Sequence, residues 1–150
     1  MKNFIAFIVI SISLILSHQS LADNLIMART NLSFPEAMLK LQDSIHDHGY
    51  VVSRVQRVDI GLTKSGYSTD KYRIVFFGTA KLVKHLSDNY PQLIPYLPFK
   101  IAIFAEGEET LLVTSNPRQL SKNTYPELES EMKKIERDIQ DIFQVMRRDE

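Results

Sequence analysis

Apolar positions follow two periods along this chain. They alternate with period two in Tyr50–Ile60, Tyr72–Gly78, Phe99–Glu106 and Thr110–Thr114, which predicts half-buried strands. A weaker run, Leu25–Arg29, has moderate strand character. Helical spacing appears elsewhere. Phe34, Met38, Leu41 and Ile45 form one stripe, and Leu82, Val83 and Leu86 form the apolar side of a helix over Ala80–Asn89. Leu128, Met132, Ile135, Ile139, Ile142 and Met146 recur at alternating spacings of four and three, a heptad-like stripe on a long helix over Tyr125–Arg148. The resulting order is roughly β-α-β-β-α-β-β-α: an α+β fold with a curved antiparallel sheet packed by helices.

Punctuation supports these elements. Ser33 with Glu36, and Thr124 with Glu127, have capping-box spacing. Pro35 sits in a first turn, where its missing N–H costs nothing. Gly49 ends the first helix and Gly78-Thr79 separates a strand from a helix. Pro91, Pro95 and Pro98 forbid a continuous helix beyond Tyr90, so Tyr90–Pro98 reads as a turn-rich connection. Gly61–Lys71 reads as a polar loop and Glu106–Glu109 as a hairpin turn.

The rows within the strands carry a further expectation. Tyr50–Ile60 mixes apolar and polar residues on both sides, which marks an edge or half-exposed strand. Tyr72, Ile74 and Phe76 are assigned to an inner row with Phe99, Ile101, Ile103, Leu111 and Val113. Val75, Phe77, Ala102, Phe104 and Leu112 are assigned to an outer row. Both rows are apolar, whereas a face turned to water should be polar. The inner row has the two internal helices to meet. The outer row needs the C-terminal helix or a second subunit, and periodicity alone leaves both open.

Composition narrows the compartment more than the chemistry. The N-terminus has one lysine, a 13-residue apolar run, Phe4–Leu16, and small residues at Ser20 and Ala22. That is the pattern of a secretory signal peptide cleaved after Ala22, and the run is short for a membrane span. The mature domain is then 23–150, with a core over 34–120 and the C-terminal helix over 125–148. Cysteine is absent, so disulfides, thiol chemistry and a lipidated cysteine are excluded. A periplasmic location fits this best, with secretion as the alternative. No stable membrane span is expected after cleavage. The formal net charge of zero lacks the basic footprint of a nucleic-acid binder.

Candidate chemistry is sparse. His46-Asp47-His48 invites a metal reading, but residues two apart on a helix diverge. No metal or cofactor is expected. The carboxylates of Glu106, Glu108 and Glu109 read as solvated charge on a turn. Thr79 and Lys81 at a helix start could hold an anionic group, and Tyr72 and Tyr67 are weak candidates beside them. Catalytic residues are not assigned: no nucleophile elbow, zinc-protease motif or phosphate loop is present. Tyr50, His48 and His85 could transfer protons, but nothing in the sequence brings them together.

Several short motifs carry a resemblance. They are the Phe34-centred helix ending in His48-Gly49-Tyr50-Val51-Val52, the Val58-Asp59-Ile60 segment, and Tyr72-Arg73-Ile74-Val75 leading into Phe77-Gly78. Leu97-Pro98 then opens a strand and Asn116-Pro117 closes the hairpin. Over Phe34–Leu120 the chain resembles a bacterial family known as domain-of-unknown-function family 302. The resemblance implies a compact α+β domain, often dimeric, with no established activity. Many members carry a cysteine after Leu-Pro, where this chain has Phe99. Many also have proline in the turn after the Tyr72-type strand, where this chain has Thr79-Ala80. A thiol-dependent role is therefore closed to this protein.

Three functional readings follow. The first is a non-enzymatic module that binds a small ligand or associates with the cell envelope. The alternative is a homodimeric interaction protein whose surface includes Phe104 and the Leu128, Met132, Ile135, Ile139 and Ile142 stripe. An enzyme is the least supported.

Overall fold

Five antiparallel strands form one sheet in the order β1-β5-β4-β3-β2 in a computed structural model describing residues 24–147. The strands are β1 (Leu25–Thr30), β2 (Val51–Arg57), β3 (Tyr72–Gly78), β4 (Phe99–Glu106) and β5 (Glu109–Ser115). The helices are α1 (Phe34–Asp47), α2 (Val58–Lys64), α3 (Ala80–Asn89), α4 (Pro117–Ser121) and α5 (Glu129–Arg147). The α+β class, the antiparallel sheet and the long C-terminal helix agree with the reading from sequence. The signal segment 1–22 lies outside the described residues, as does Arg148. Among the described residues no helix is long and apolar enough to cross a membrane.

The first helix forms as its punctuation dictates. The Glu36 carboxylate accepts from the Ser33 backbone N–H at 3.1 Å and from its hydroxyl at 2.5 Å. Those bonds hold Glu36 below the usual carboxylate range. Gly49 follows with φ +79, the left-handed geometry glycine adopts without strain. Phe34, Ala37, Leu41 and Ile45 are buried against the sheet layer.

α5 covers the same face beside α1. Met132, Ile135, Ile139, Ile142, Phe143 and Met146 are 0–2% exposed, and Leu128 is 3% exposed. The stripe therefore packs inside its own chain. Leu128, Met132, Ile135, Ile139 and Ile142 are occupied there and offer no surface to a partner.

Three local expectations are corrected. The second strand stops at Arg57, and Val58–Lys64 is a helix where the strand's end and a loop were expected. The half-buried Arg73 guanidinium pairs with Asp59, and an aspartate in a first helical turn suits the helix dipole. That long-range pair overrides the strand preference of Val58 and Ile60. The C-terminal helix begins at Glu129, after a 3₁₀ turn over Pro126–Leu128 that has no side-chain cap. Pro126 takes the first position of that turn, so the Thr124–Glu127 box is not formed.

The third correction concerns the faces of the sheet. Val75 pairs with Ile101, Phe77 with Phe99, and Ile103 with Leu112. These six share the helix-covered face and are 0–5% exposed. Ala102 and Phe104 pair with Ile74 and Tyr72, and Val113 and Leu111 extend those rows. Ala102 and Phe104 thus stand with Tyr72, Ile74 and Phe76, on the face that α1 and α5 do not cover. Phe99, Ile101 and Ile103 belong on the covered side.

Candidate functional site

The uncovered face of the sheet is ordered in cross-strand rows. One row joins Leu25 to Ser115 on the β1 side and Lys100 to Phe76 and Arg54 on the β2 side; β5 and β4 lie between β1 and β3, and β2 pairs directly with β3. The next runs Met27, Val113, Ala102, Ile74, Gln56. A third runs Arg29, Leu111, Phe104, Tyr72, and Glu109 with Glu106 closes the hairpin end. None of these side chains is buried. Leu25 and Met27 are 44% and 43% exposed. Tyr72 and Phe104 meet edge to face at 5.8 Å. Arg29 donates to Glu106 at 2.9 Å and lies 3.7 Å from Glu109. An antiparallel sheet facing water should show polar residues here. This one shows a contiguous apolar centre with charge at its two ends, the signature of a surface that meets something.

A second feature lies on the helical side. The start of β2, the α3 N-terminus and the middle of α5 enclose a recess of about 230 Å³. Tyr50 is buried, and its hydroxyl donates to Asp138 at 2.6 Å. Lys134 also donates to Asp138 at 2.6 Å and stands 5.9 Å from the Tyr50 ring. The Tyr50 ring packs edge to face on Phe77 at 5.5 Å. His48 lines the same recess, its Nδ1 2.7 Å from the Ser44 carbonyl. His85 faces Glu131 at 3.9 Å. Burial, and then the Asp138 carboxylate, push the Tyr50 phenol well above its ordinary value. It therefore stays neutral and acts as a donor, not as a base, at physiological pH.

The sign of that shift gives a prediction. The folded phenol holds its proton to higher pH than the unfolded one, whose ordinary value is 10.0. The stabilisation is complete below about pH 10 and is lost as pH rises further, because the unfolded chain ionises first. Tyr50→Phe should lower stability at pH 7 by about 1–2 kcal/mol and flatten the alkaline limb of the melting-temperature profile. An unchanged limb above pH 10 would contradict the assignment.

The residues singled out from sequence do not form one site. Thr79 Oγ1 accepts from the Leu82 N–H at 3.1 Å, so it caps α3, and it lines the recess. Lys81 is exposed and is not among the side chains that line the recess. Tyr72 stands at the opposite end of β3, about 20 Å from Thr79 by the rise of a strand. Tyr67 is 67% exposed in the connection before β3. Phe104 is half-buried on the open face. His48 and Tyr50 are brought together, with Lys134 and Asp138. The i,i+4 spacing of those two α5 residues is that of an ordinary helix-surface pair, and nothing local links them to Tyr50. Among the described residues no group of three or more His, Cys, Asp or Glu is placed to hold a metal ion.

The comparisons with known proteins agree with this fold. The profile of the family described as "Domain of unknown function DUF302" matches residues 26–146. The chain belongs to the DUF302 family. A crystal structure of an uncharacterized conserved DUF302 protein from Bacillus stearothermophilus superposes with a TM-score of 0.74 at 17% sequence identity. The match covers 82% of this chain and 98% of that one. At that identity the likeness concerns the fold alone. No curated protein matches the chain. The matched region spans β1 to the end of α5, so both the open face and the recess are built within the DUF302 domain.

Proposed function

We propose that this DUF302 protein is a non-enzymatic binding module, exported to the cell envelope, that works by docking a protein partner on the open face of its sheet. One observation carries the reading: a five-stranded face with Phe76, Ile74, Ala102, Phe104, Leu111 and Val113 at its centre has no covering layer among the described residues. Burying such a face is favourable by about 25 cal/mol per Å² of apolar area, so a partner gains from the contact. The signal-like N-terminus supports an extracytoplasmic setting for that encounter.

A photo-cross-linking residue at position 104, introduced in the expressing cell, tests the reading. A protein adduct from position 104, absent when the same residue replaces the exposed Lys133 on α5, is the expected result. No adduct at 104, or equal labelling at both positions, would overturn it.

A second reading keeps the recess as a small-ligand site. It is favoured by Lys134 and the α3 N-terminus lining one space of about 230 Å³, with Glu131 on the same wall and Asp138 bonded to Lys134, so a small anion binds there by displacing Asp138 from Lys134. Titration calorimetry with inorganic phosphate on the protein and on Lys134→Ala tests it. Identical heats remove Lys134, and with it this reading.

A further inference from the structure

We infer that the free edge of β1 takes an extended segment of another protein as an added strand, with a carboxylate in the row of side chains that faces α5. This site uses backbone groups at the rim of the sheet, not the side chains of its open face. β1 ends the sheet on one side. The Asn116 N–H donates to the Asn24 carbonyl at 2.8 Å, so Asn24 turns its backbone groups toward β5. In an antiparallel ladder that direction alternates from residue to residue. Ile26, Ala28 and Thr30 therefore also bond β5, and Leu25, Met27 and Arg29 point their N–H and C=O groups outward. Among the described residues only the Met27 carbonyl of that outward set has a partner: it accepts from the Arg147 guanidinium at 2.5 Å. The opposite edge strand, β2, has a register shift between Val52 and Arg54, and such a bulge blunts an edge. β1 holds continuous register with β5 from Leu25 to Thr30.

Beside Leu25 and Met27 lies a space of about 490 Å³ between β1 and α5. Glu136, Gln140, Gln144 and Arg147 form its wall on α5. Glu136 accepts from Asn116 at 2.6 Å. Gln140 and Gln144 are exposed, and among the described residues neither side chain has a hydrogen-bond partner. Four residues apart, they present their amides on one face of the helix.

Outward donors and acceptors at strand spacing are matched by another extended main chain. A lipid headgroup or a small anion offers no such alternation. An added strand turns its side chains alternately to the two sides of the sheet. One row stands beside Leu25 and Met27 on the open face. The other row meets the polar wall of α5. The occupant is therefore an alternating segment, apolar in one row and polar in the other. Its incoming N–H takes the Met27 carbonyl from Arg147, whose guanidinium then needs another acceptor. Glu136 lies about three turns earlier on α5 and is engaged by Asn116. A carboxylate in the polar row of the segment supplies that acceptor. Arg147 thus closes the edge when it is empty and holds the occupant when it is filled.

The test uses protein purified from expressing cells and a synthetic peptide alternating valine and threonine, with one glutamate in its threonine row. At saturation the amides of Leu25, Met27 and Arg29 should exchange about tenfold or more slowly, while those of Ile26 and Ala28 keep their rates. The same peptide with a central proline should not bind, since it lacks the donor. Met27→Pro should weaken binding about tenfold and keep the cooperative melt, because that N–H lies outside the ladder with β5. Arg147→Ala should weaken the glutamate peptide and strengthen its glutamine counterpart, since both the carboxylate's partner and the latch on Met27 are gone. A folding defect cannot produce that reversal. Equal slowing along the whole of β1, no slowing at about 1 mM peptide, or full binding by the proline peptide would overturn the inference. Unchanged affinity for both peptides in Arg147→Ala would overturn the role of the carboxylate. An oligomer whose Leu25, Met27 and Arg29 amides are protected without peptide would give the edge to a second copy and overturn the inference too. Labelling at position 104 reports on the open face and is independent of these outcomes.

Discussion

Deleting the chain from Glu129 onward should leave a protein that does not fold. α5 contributes Met132, Ile135, Ile139, Ile142, Phe143 and Met146, none more than 2% exposed. Each such side chain is worth about 1.5–3 kcal/mol of burial, and together they match or exceed the about 5–15 kcal/mol that holds a domain of this size. The deletion also bares the covered face of the sheet: Phe77, Ile101, Ile103 and Leu112 are all 0% exposed only because helices lie on them. The expected result is loss of the cooperative melt and insoluble product. A finer test is Ile139→Ala, which should cost about 2–5 kcal/mol. Measured across a range of protein concentrations, that cost should be constant, because the stripe packs within one chain. A cost that appeared only at concentrations where the chain self-associates would assign the stripe to a partner instead.

The helix stripe was legible because its signal is redundant. Six apolar residues at alternating spacings of four and three leave no other regular structure. Whether it packed in its own chain was not legible, since a heptad pattern is the same for either partner. The strands tell a parallel story. Alternation within Tyr72–Gly78 separates Val75 and Phe77 from Tyr72, Ile74 and Phe76. It says nothing about which row of β4 stands beside which row of β3. That phase is set by register, and a slip of one residue exchanges the faces. β3 and β4 are joined through α3 and a 3₁₀ turn over Pro91–Tyr96, so no hairpin turn ties their rows together. The apolar character of both faces was therefore readable, while the identity of the uncovered one was not. The recess has the same history. Tyr50 and Asp138 are 88 residues apart, and each reads locally as an ordinary strand-edge or helix-surface residue. Only the packing of α5 beside the start of β2 makes them partners.

The Asp59–Arg73 pair is where the long-range term is expected to reverse a local preference outright. Both side chains are close to 15% exposed, and the guanidinium also donates to the Tyr72 carbonyl at 3.0 Å and lies 5.7 Å from the Phe34 ring. Burial, with Arg57 nearby, lowers the Arg73 value from its ordinary one, so the charge is held at some cost and depends on its partner. Removing one member of such a pair leaves the other desolvated and unpaired, a loss of about 3 kcal/mol or more. Arg73→Met should therefore destabilise the fold by about that amount. Asp59→Ala should do the same and should also loosen α2, whose first turn loses its tie to Arg73. Val58 and Ile60 would then be free to follow their strand preference, so amide exchange over Val58–Lys64 should rise well above that of β3. The double variant is expected to be less destabilised than the two single costs added together, because neither stranded charge remains. Urea midpoints for the four proteins give the coupling directly. Strict additivity, with α2 still protected in Asp59→Ala, would mean that the helix is held by its own chain segment and that the pair is incidental.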